Sequence, residues 1–282
     1  MKSSSVSALT TAGTSEELAP NTGTFAAATA TPLWLPRTDV VAVIQCAMDM
    51  EAAPFLAAMT ADSREALLIG EDAGHQQSFV FGNFEGHRVL VVTSGVGIAN
   101  AASATARALM LAHPAVVIAA GTTGGLHIDS RVGDIAIGVS AVYHNADATA
   151  FGYERGQIPS MPHIYAAGVA ATVAAQRLPV AIAHRVIHGQ VVSGDSFITA
   201  DIVTPIREAF PEAIATDMET TAMAQIAWSM GTDWISLRAV SDLCGPVAGQ
   251  DFHIDGAEAA ACSVDAVRAY LPLFVEAARE AQ

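Results

Sequence analysis

Basic residues are scarce in this chain, 13 against 28 acidic ones over 282 residues, and Lys2 is the only lysine. The formal charge of -15 argues against a nucleic-acid groove or an anionic membrane surface as main partner, since both need clustered Lys or Arg. A small neutral or cationic ligand suits it better. Cysteine is equally sparse: Cys46, Cys244 and Cys262 are too few and too scattered for a disulfide framework, and no CxxC pair exists. A reducing, cytoplasmic setting is therefore expected. No run of 18 apolar, uncharged residues has the character of a membrane span once Gly, His and turn residues are counted. Also missing are a GxGxxG dinucleotide fingerprint after the first apolar run and the GK[ST] ending of a phosphate loop.

What is present is apolar substance, 52% of the residues, enough for one large catalytic domain. The first 36 residues are rich in Ser, Thr, Ala and Gly, and they lack the continuous apolar core of a secretory signal. Residues 1–37 are read as a flexible extension dispensable for chemistry, and 38–282 as the catalytic domain.

From Thr38 onward, β-rich apolar runs alternate with helical stretches. Strands are expected at 41–47, 115–121, 135–144, 181–193 and 232–241, with a hairpin over 79–94 turned by Glu85 and Gly86. Helices are expected from Glu51, shortened near Pro54, and over 97–111, 165–177, 201–209, 219–230 and 256–280. The alternation predicts an α/β fold, a mixed central sheet with helices on both faces.

Three carboxylates sit just past apolar runs: Glu51 after VAVIQCAM, Glu219 in ATDMET and Asp242 after WISLRAVS. Ligands of α/β sheets bind at strand ends, so three acids there point to a catalytic crevice, although each alone has an ordinary reading as a helix cap or surface charge. GTTGGL (121–126) follows a buried strand; its glycines allow close backbone approach, and Thr122 offers a hydroxyl and an amide. His144 and Asp147 of HNAD are three apart, but neither they nor the other histidines form a convincing metal set.

AMDMEA (47–52), SGVGIANAAS (94–103), GTTGGL, YHNADATAFGYERGQIPSMP (143–162), VSGDSFI (192–198), DMETTA (217–222) and RAVSD (238–242), in that order, resemble the 5'-methylthioadenosine/S-adenosylhomocysteine nucleosidases of the purine nucleoside phosphorylase superfamily. The resemblance spans residues 40–280. It implies a three-layer α/β/α, nucleoside phosphorylase-like fold, commonly a homodimer, that hydrolyses the N-glycosidic bond of 5'-thio-substituted adenosines without metal or organic cofactor.

Residue by residue, the resemblance makes Asp242 the acid that protonates adenine at N7 and Glu51 the base that orients water, with Thr122 and Arg238 holding that water and Ser241 among the substrate-binding residues. Thr122 stands where the family usually has serine. Glu219 is implied to grip the ribose 2'- and 3'-hydroxyls, Met48 and Met218 to face the sugar, Phe197 to stack on adenine, and the main chain of Ile198 to read the base edge. A tail pocket for the 5'-substituent is implied from Ala148, Phe151 and Pro159, partly supplied by the neighbouring subunit, together with Phe252. Ala148 replaces a larger aliphatic residue of better-known members, which leaves the preferred 5'-substituent open.

The acid needs an apolar surround or a neighbouring charge to hold a proton near neutral pH, and Val240 and Leu243 are candidates for that surround. The nearest rival is a phosphorylase, which needs a cationic phosphate site. No Arg or Lys occurs between Arg37 and Arg64, and Glu51 in that turn would repel phosphate. A futalosine-type nucleosidase shares the scaffold. A nucleoside sensor is disfavoured, because binding alone needs neither a water base nor a leaving-group acid.

Overall fold

The computed structural model describes residues 37–62, 66–71, 75–245 and 248–281, without the side chains of 248–255. The N-terminal extension up to Pro36 lies outside the described residues. The architecture begins with β1 (Thr38–Cys46), whose last five residues are all buried. A strand covered on both faces needs apolar residues throughout rather than alternation, which is why VVAVIQC reads as continuous. Parallel pairing joins it to β5 (His87–Thr93) on one side and β6 (Ala112–Gly125) on the other. The outer edge is antiparallel: β4 (Gln77–Phe84) pairs with β5, then carries the short β2 (Thr60–Ala61) and β3 (Leu67–Ile69).

On the far side β6 pairs in parallel with β11 (Asp233–Asp242). Next come β7 (Ile135–Tyr143), antiparallel to β11, then β9 (Val186–Ser193) and β10 (Ala213–Asp217), with the two-residue β8 (Tyr165–Ala166) on β7. Gly124 and Gly125 at the end of β6 also pair, antiparallel, with Thr216 and Ala215 of β10. The strands β6, β11, β7, β9 and β10 thus close on themselves.

Successive residues of the central strands face opposite layers, as the pleat requires. Ile44, Ile118 and Ile235 pack against Phe55 of α1 (Asp49–Ala58), Ala171 and Ala174 of α3 (Val169–Arg177), and Tyr270 and Phe274 of α6 (Ala248–Glu280). Val43, Val117 and Trp234 face the other layer, built from α2 (Ile98–Leu111) and α5 (Thr220–Ser229). Ala101, Ala104 and Ala108 form the buried stripe of α2, small enough to bring its backbone close to the sheet. The fold is three-layered α/β/α, as expected.

Several boundaries differ from the sequence reading. Pro54 lies inside α1 and does not shorten it at that point. Only one main-chain hydrogen bond is forfeited there, because a proline lacks just its own N–H. The 165–177 helix starts at Val169, since Tyr165 and Ala166 are taken up by β7. The 181–193 strand starts at Val186, and the 115–121 strand extends over Ala112–Gly125. The 256–280 helix begins at Ala248, and β10 is a strand the reading did not separate from the apolar run before DMET. The remaining α4 (Ala200–Ala209) lies in the connection from β9 to β10.

Candidate active site

The ends of β1, β6, β10 and β11, with the loop after β9, surround a cavity of about 410 Å³. Ten residues expected at the site line it: Met48, Glu51, Thr122, Phe197, Ile198, Met218, Glu219, Arg238, Ser241 and Asp242. Three helix N-termini, those of α1, α2 and α5, come to the same place through Met48, Val96 and Glu219.

Glu51 is the third residue of α1 and only 1% exposed. One carboxylate oxygen accepts from the amides of Ala47 at 2.9 Å and Met48 at 3.1 Å; the other accepts from the amide of Thr122 at 2.7 Å and its hydroxyl at 2.8 Å. Four short donors fix the group between β1 and β6 and satisfy two amides at the start of α1, the site where a carboxylate best meets the helix dipole. Gly121 (φ +119°) makes this possible: a Cβ there would run into the Glu51 carboxyl.

Glu219 and Arg238 form the opposite group. The Glu219 carboxylate accepts from the Gly97 amide at 2.9 Å and lies 3.2 Å from Arg238 Nη2. Arg238 donates Nη1–H to the Thr122 carbonyl at 2.9 Å, while its Nε sits 3.3 Å from Asp217 Oδ2, ion-pair range without hydrogen-bond alignment. Burial lifts the Glu219 carboxyl to about 7, against the pull of Arg238 and with the help of the nearby Asp217 charge. Paired carboxylates hold Arg238 above its ordinary value despite its burial.

Asp242 ends β11 and is 2% exposed. Its Oδ1 accepts from the Cys244 amide at 2.9 Å, and Ser241 Oγ lies 3.2 Å from Oδ2. The Val240 side chain is buried in the small cluster with Ile214 and Ala215, whereas Leu243 is 42% exposed. Of the two residues expected to give the acid an apolar surround, one is a core residue and the other faces outward. Cys244 lines the cavity beside this carboxyl; burial and the Asp242 charge push its thiol up to about 12, which makes it a poor nucleophile.

The tail-pocket residues are not brought to this cavity. Ala148 is buried in the loop after β7, Phe151 is 83% exposed, and Pro159 is exposed as well. The side chain of Phe252 lies outside the described residues. Conversely, the sequence reading missed Thr123, Thr216 and Asp217 in the lining. Asp217 accepts from Ser193 Oγ at 2.6 Å, from the amides of Glu219 at 3.1 Å and Thr220 at 3.0 Å, and closely from Thr220 Oγ1. It thereby fixes the turn into α5 that presents Met218 and Glu219. The signal was the acid on either side of Met218, of which only the second was used.

Among the described residues no group of three His, Cys, Asp or Glu is disposed to hold a metal ion. Asp147 is engaged by Arg155 at 2.5 Å and by Thr149, and burial holds the His144 imidazole below its ordinary value. No helix among the described residues is long and apolar enough to cross a membrane.

Residues 41–272 match the family model described as "Phosphorylase superfamily". A 5'-methylthioadenosine/S-adenosylhomocysteine nucleosidase from Marinomonas sp. (strain MWYL1) is 39% identical over 211 residues, 73% of this chain and 87% of that protein. Among solved structures, the nucleosidase of that name from Neisseria meningitidis in complex with methylthio-immucillin-A superposes with a TM-score of 0.74 at 32% identity, covering 82% of this chain and 97% of that one. The Colwellia psychrerythraea 34H nucleosidase in complex with adenine gives a TM-score of 0.76 at 29% identity, covering 86% and 98%. With this fold, this cavity and these relatives, the chain belongs to the 5'-methylthioadenosine/S-adenosylhomocysteine nucleosidase family of the phosphorylase superfamily.

Proposed function

We propose that this protein hydrolyses the N-glycosidic bond of 5'-methylthioadenosine and S-adenosylhomocysteine, releasing adenine and the 5-thio-substituted ribose. The observation that carries hydrolysis over phosphorolysis is the charge of the cavity. Four carboxyl groups line it, Glu51, Asp217, Glu219 and Asp242, against the single guanidinium of Arg238, which already lies within ion-pair range of two of them. A phosphate dianion would meet repulsion there, whereas water meets an acceptor.

In this reading Glu51 takes a proton from the attacking water. Its four donors aim it, and Thr122 and Arg238 complete the water site. Asp242 delivers a proton to N7 as the C1'–N9 bond lengthens, so that adenine leaves neutral. The use of two carboxyl groups, one on each side of an oxocarbenium-like sugar, parallels other glycoside hydrolysis although the fold differs. Glu219 accepts from the ribose diol, Met48 and Met218 pack on the sugar, Phe197 stacks on the base and the Ile198 main chain reads its edge. Ser241, within reach of Asp242 Oδ2, orients the acid.

The active form is proposed to be a homodimer. Phe151 at 83% exposure, in the segment that the family uses for the 5'-tail, supports a tail pocket completed across a subunit interface by Phe151 and Pro159, with Ala148 and Phe252 from the same family positions. Purified protein should release adenine from 5'-methylthioadenosine in phosphate-free, metal-free buffer, read by chromatography of the products. A strict phosphate requirement with formation of the sugar 1-phosphate would overturn hydrolysis. Retention of the nucleoside without turnover would overturn catalysis.

A further inference from the structure

Thr216, next to last in β10, lines the cavity with only 5% of its surface exposed. Its carbonyl accepts from Thr123 Oγ1 at 2.8 Å, yet its own hydroxyl makes no hydrogen bond with any described residue. The neighbouring hydroxyls are committed: Thr122 to Glu51, Thr123 to Thr216, Ser241 to the vicinity of Asp242. A buried hydroxyl without a partner is destabilising, and valine has the same shape without that penalty. A threonine at this point of the wall is therefore explained by a partner that arrives with the ligand.

Its position identifies the ligand atom. A Cβ built on Gly124 would lie 2.8 Å from Cys244 Sγ, 3.2 Å from Thr216 Cγ2 and 3.4 Å from Asp242 Oδ1, so Thr216 and Asp242 meet, with the Cys244 thiol, over the same glycine of β6. With Asp242 at N7 of the base, the adjoining positions on that edge are the apolar C8–H and the substituent on C6. Only the second offers a hydrogen-bond partner. We propose that Thr216 is a specificity-determining residue whose hydroxyl accepts a hydrogen bond from the 6-amino group of the purine. This rests on the nucleosidase reading above.

The test compares wild type with Thr216→Val, measuring inhibition constants for adenine and for purine, which lacks the 6-amino group. The variant should bind adenine about 3- to 10-fold more weakly, the net worth of one neutral hydrogen bond. Purine binding should change less than about 2-fold, because it loses no partner. The ligand-free variant should also melt higher, since an unpartnered buried hydroxyl has been removed. Thr216→Ser, which keeps the hydroxyl, should retain the wild-type adenine-to-purine ratio, and it serves as the comparison if the valine variant folds poorly. Equal effects on both ligands, an unchanged adenine constant, or a serine variant that loses the ratio would each overturn the assignment. A wild-type protein that neither binds nor releases adenine would instead overturn the nucleosidase reading, and this inference with it.

Discussion

Replacing Glu51 by glutamine separates what the carboxylate does for the fold from what it does for the proposed chemistry. In the native arrangement two oxygens accept from three backbone amides and one hydroxyl. Glutamine keeps one acceptor oxygen and turns the other position into a donor. Its best placement leaves the oxygen on the Ala47 and Met48 amides and directs its NH2 at Thr122, whose hydroxyl can rotate to accept but whose amide cannot. One buried N–H is then left without a partner, a loss of about 1–3 kcal/mol. For a domain of this size that corresponds to a fall in melting temperature of roughly 2–10 °C. The substitution leaves the sugar and base contacts in place, so adenine should still bind. Removing the proton acceptor should slow hydrolysis by about 100- to 10,000-fold. The assay is single-turnover adenine formation by rapid quench, with melting temperature and adenine affinity measured on the same preparation. A single-turnover rate within about tenfold of wild type, in a variant that binds adenine normally, would remove Glu51 from the proton transfer.

Gly121→Ala should destabilise the protein by at least about 2 kcal/mol in urea titrations and abolish turnover, since it combines a positive-φ position with overlap of the Glu51 carboxyl; a neutral result would mean that the β6 backbone can yield there. The pH dependence of stability should reveal Glu219. Its carboxyl is raised from 4.5 to about 7 in the folded state, so the stability contribution tied to its protonation is fully present below pH 4.5 and is lost as pH rises through about 7. Melting temperatures of wild type relative to Glu219→Gln should therefore decline between pH 5 and pH 8, and a flat difference across that window would refute the raised value.

Much of this was legible in the sequence because the site is built from short contiguous motifs at strand ends. Glu51, Glu219 and Asp242 each follow an apolar run that ends at the cavity, and DMET brings Met218 and Glu219 side by side into its lining. The five-residue β10 was not legible: all its positions are buried, so it shows no alternation, and its partner Gly124 lies some ninety residues earlier. Thr216 escaped for the same reason, since only the closing of β6 onto β10 turns its side chain into a cavity wall. The segment before β9 misled in the opposite way, for Ala181–Ile182–Ala183 has strand composition but pairs with no strand among the described residues. Asp217 was overlooked because its partners are two main-chain amides, the hydroxyls of Ser193 and Thr220 and the distant Arg238, a set that only the fold assembles.

The pairing of Gly124 with Asp242 on one side and with Thr216 on the other makes β6 a mechanical tie between the two halves of the cavity. Through Thr122 the same strand holds Glu51, and through Gly124 it meets β10, which leads into Glu219, and β11, which carries Asp242. Moving one of these acids relative to another means breaking the hydrogen bonds that main-chain amides donate to its carboxylate. The spacing of the three acids is therefore set by the backbone, while Ser196, Phe197 and Ile198 reach the same cavity from the loop after β9. A lineage with this frame can reshape the cavity by altering the loop after β9, and leave the distance between its acids untouched.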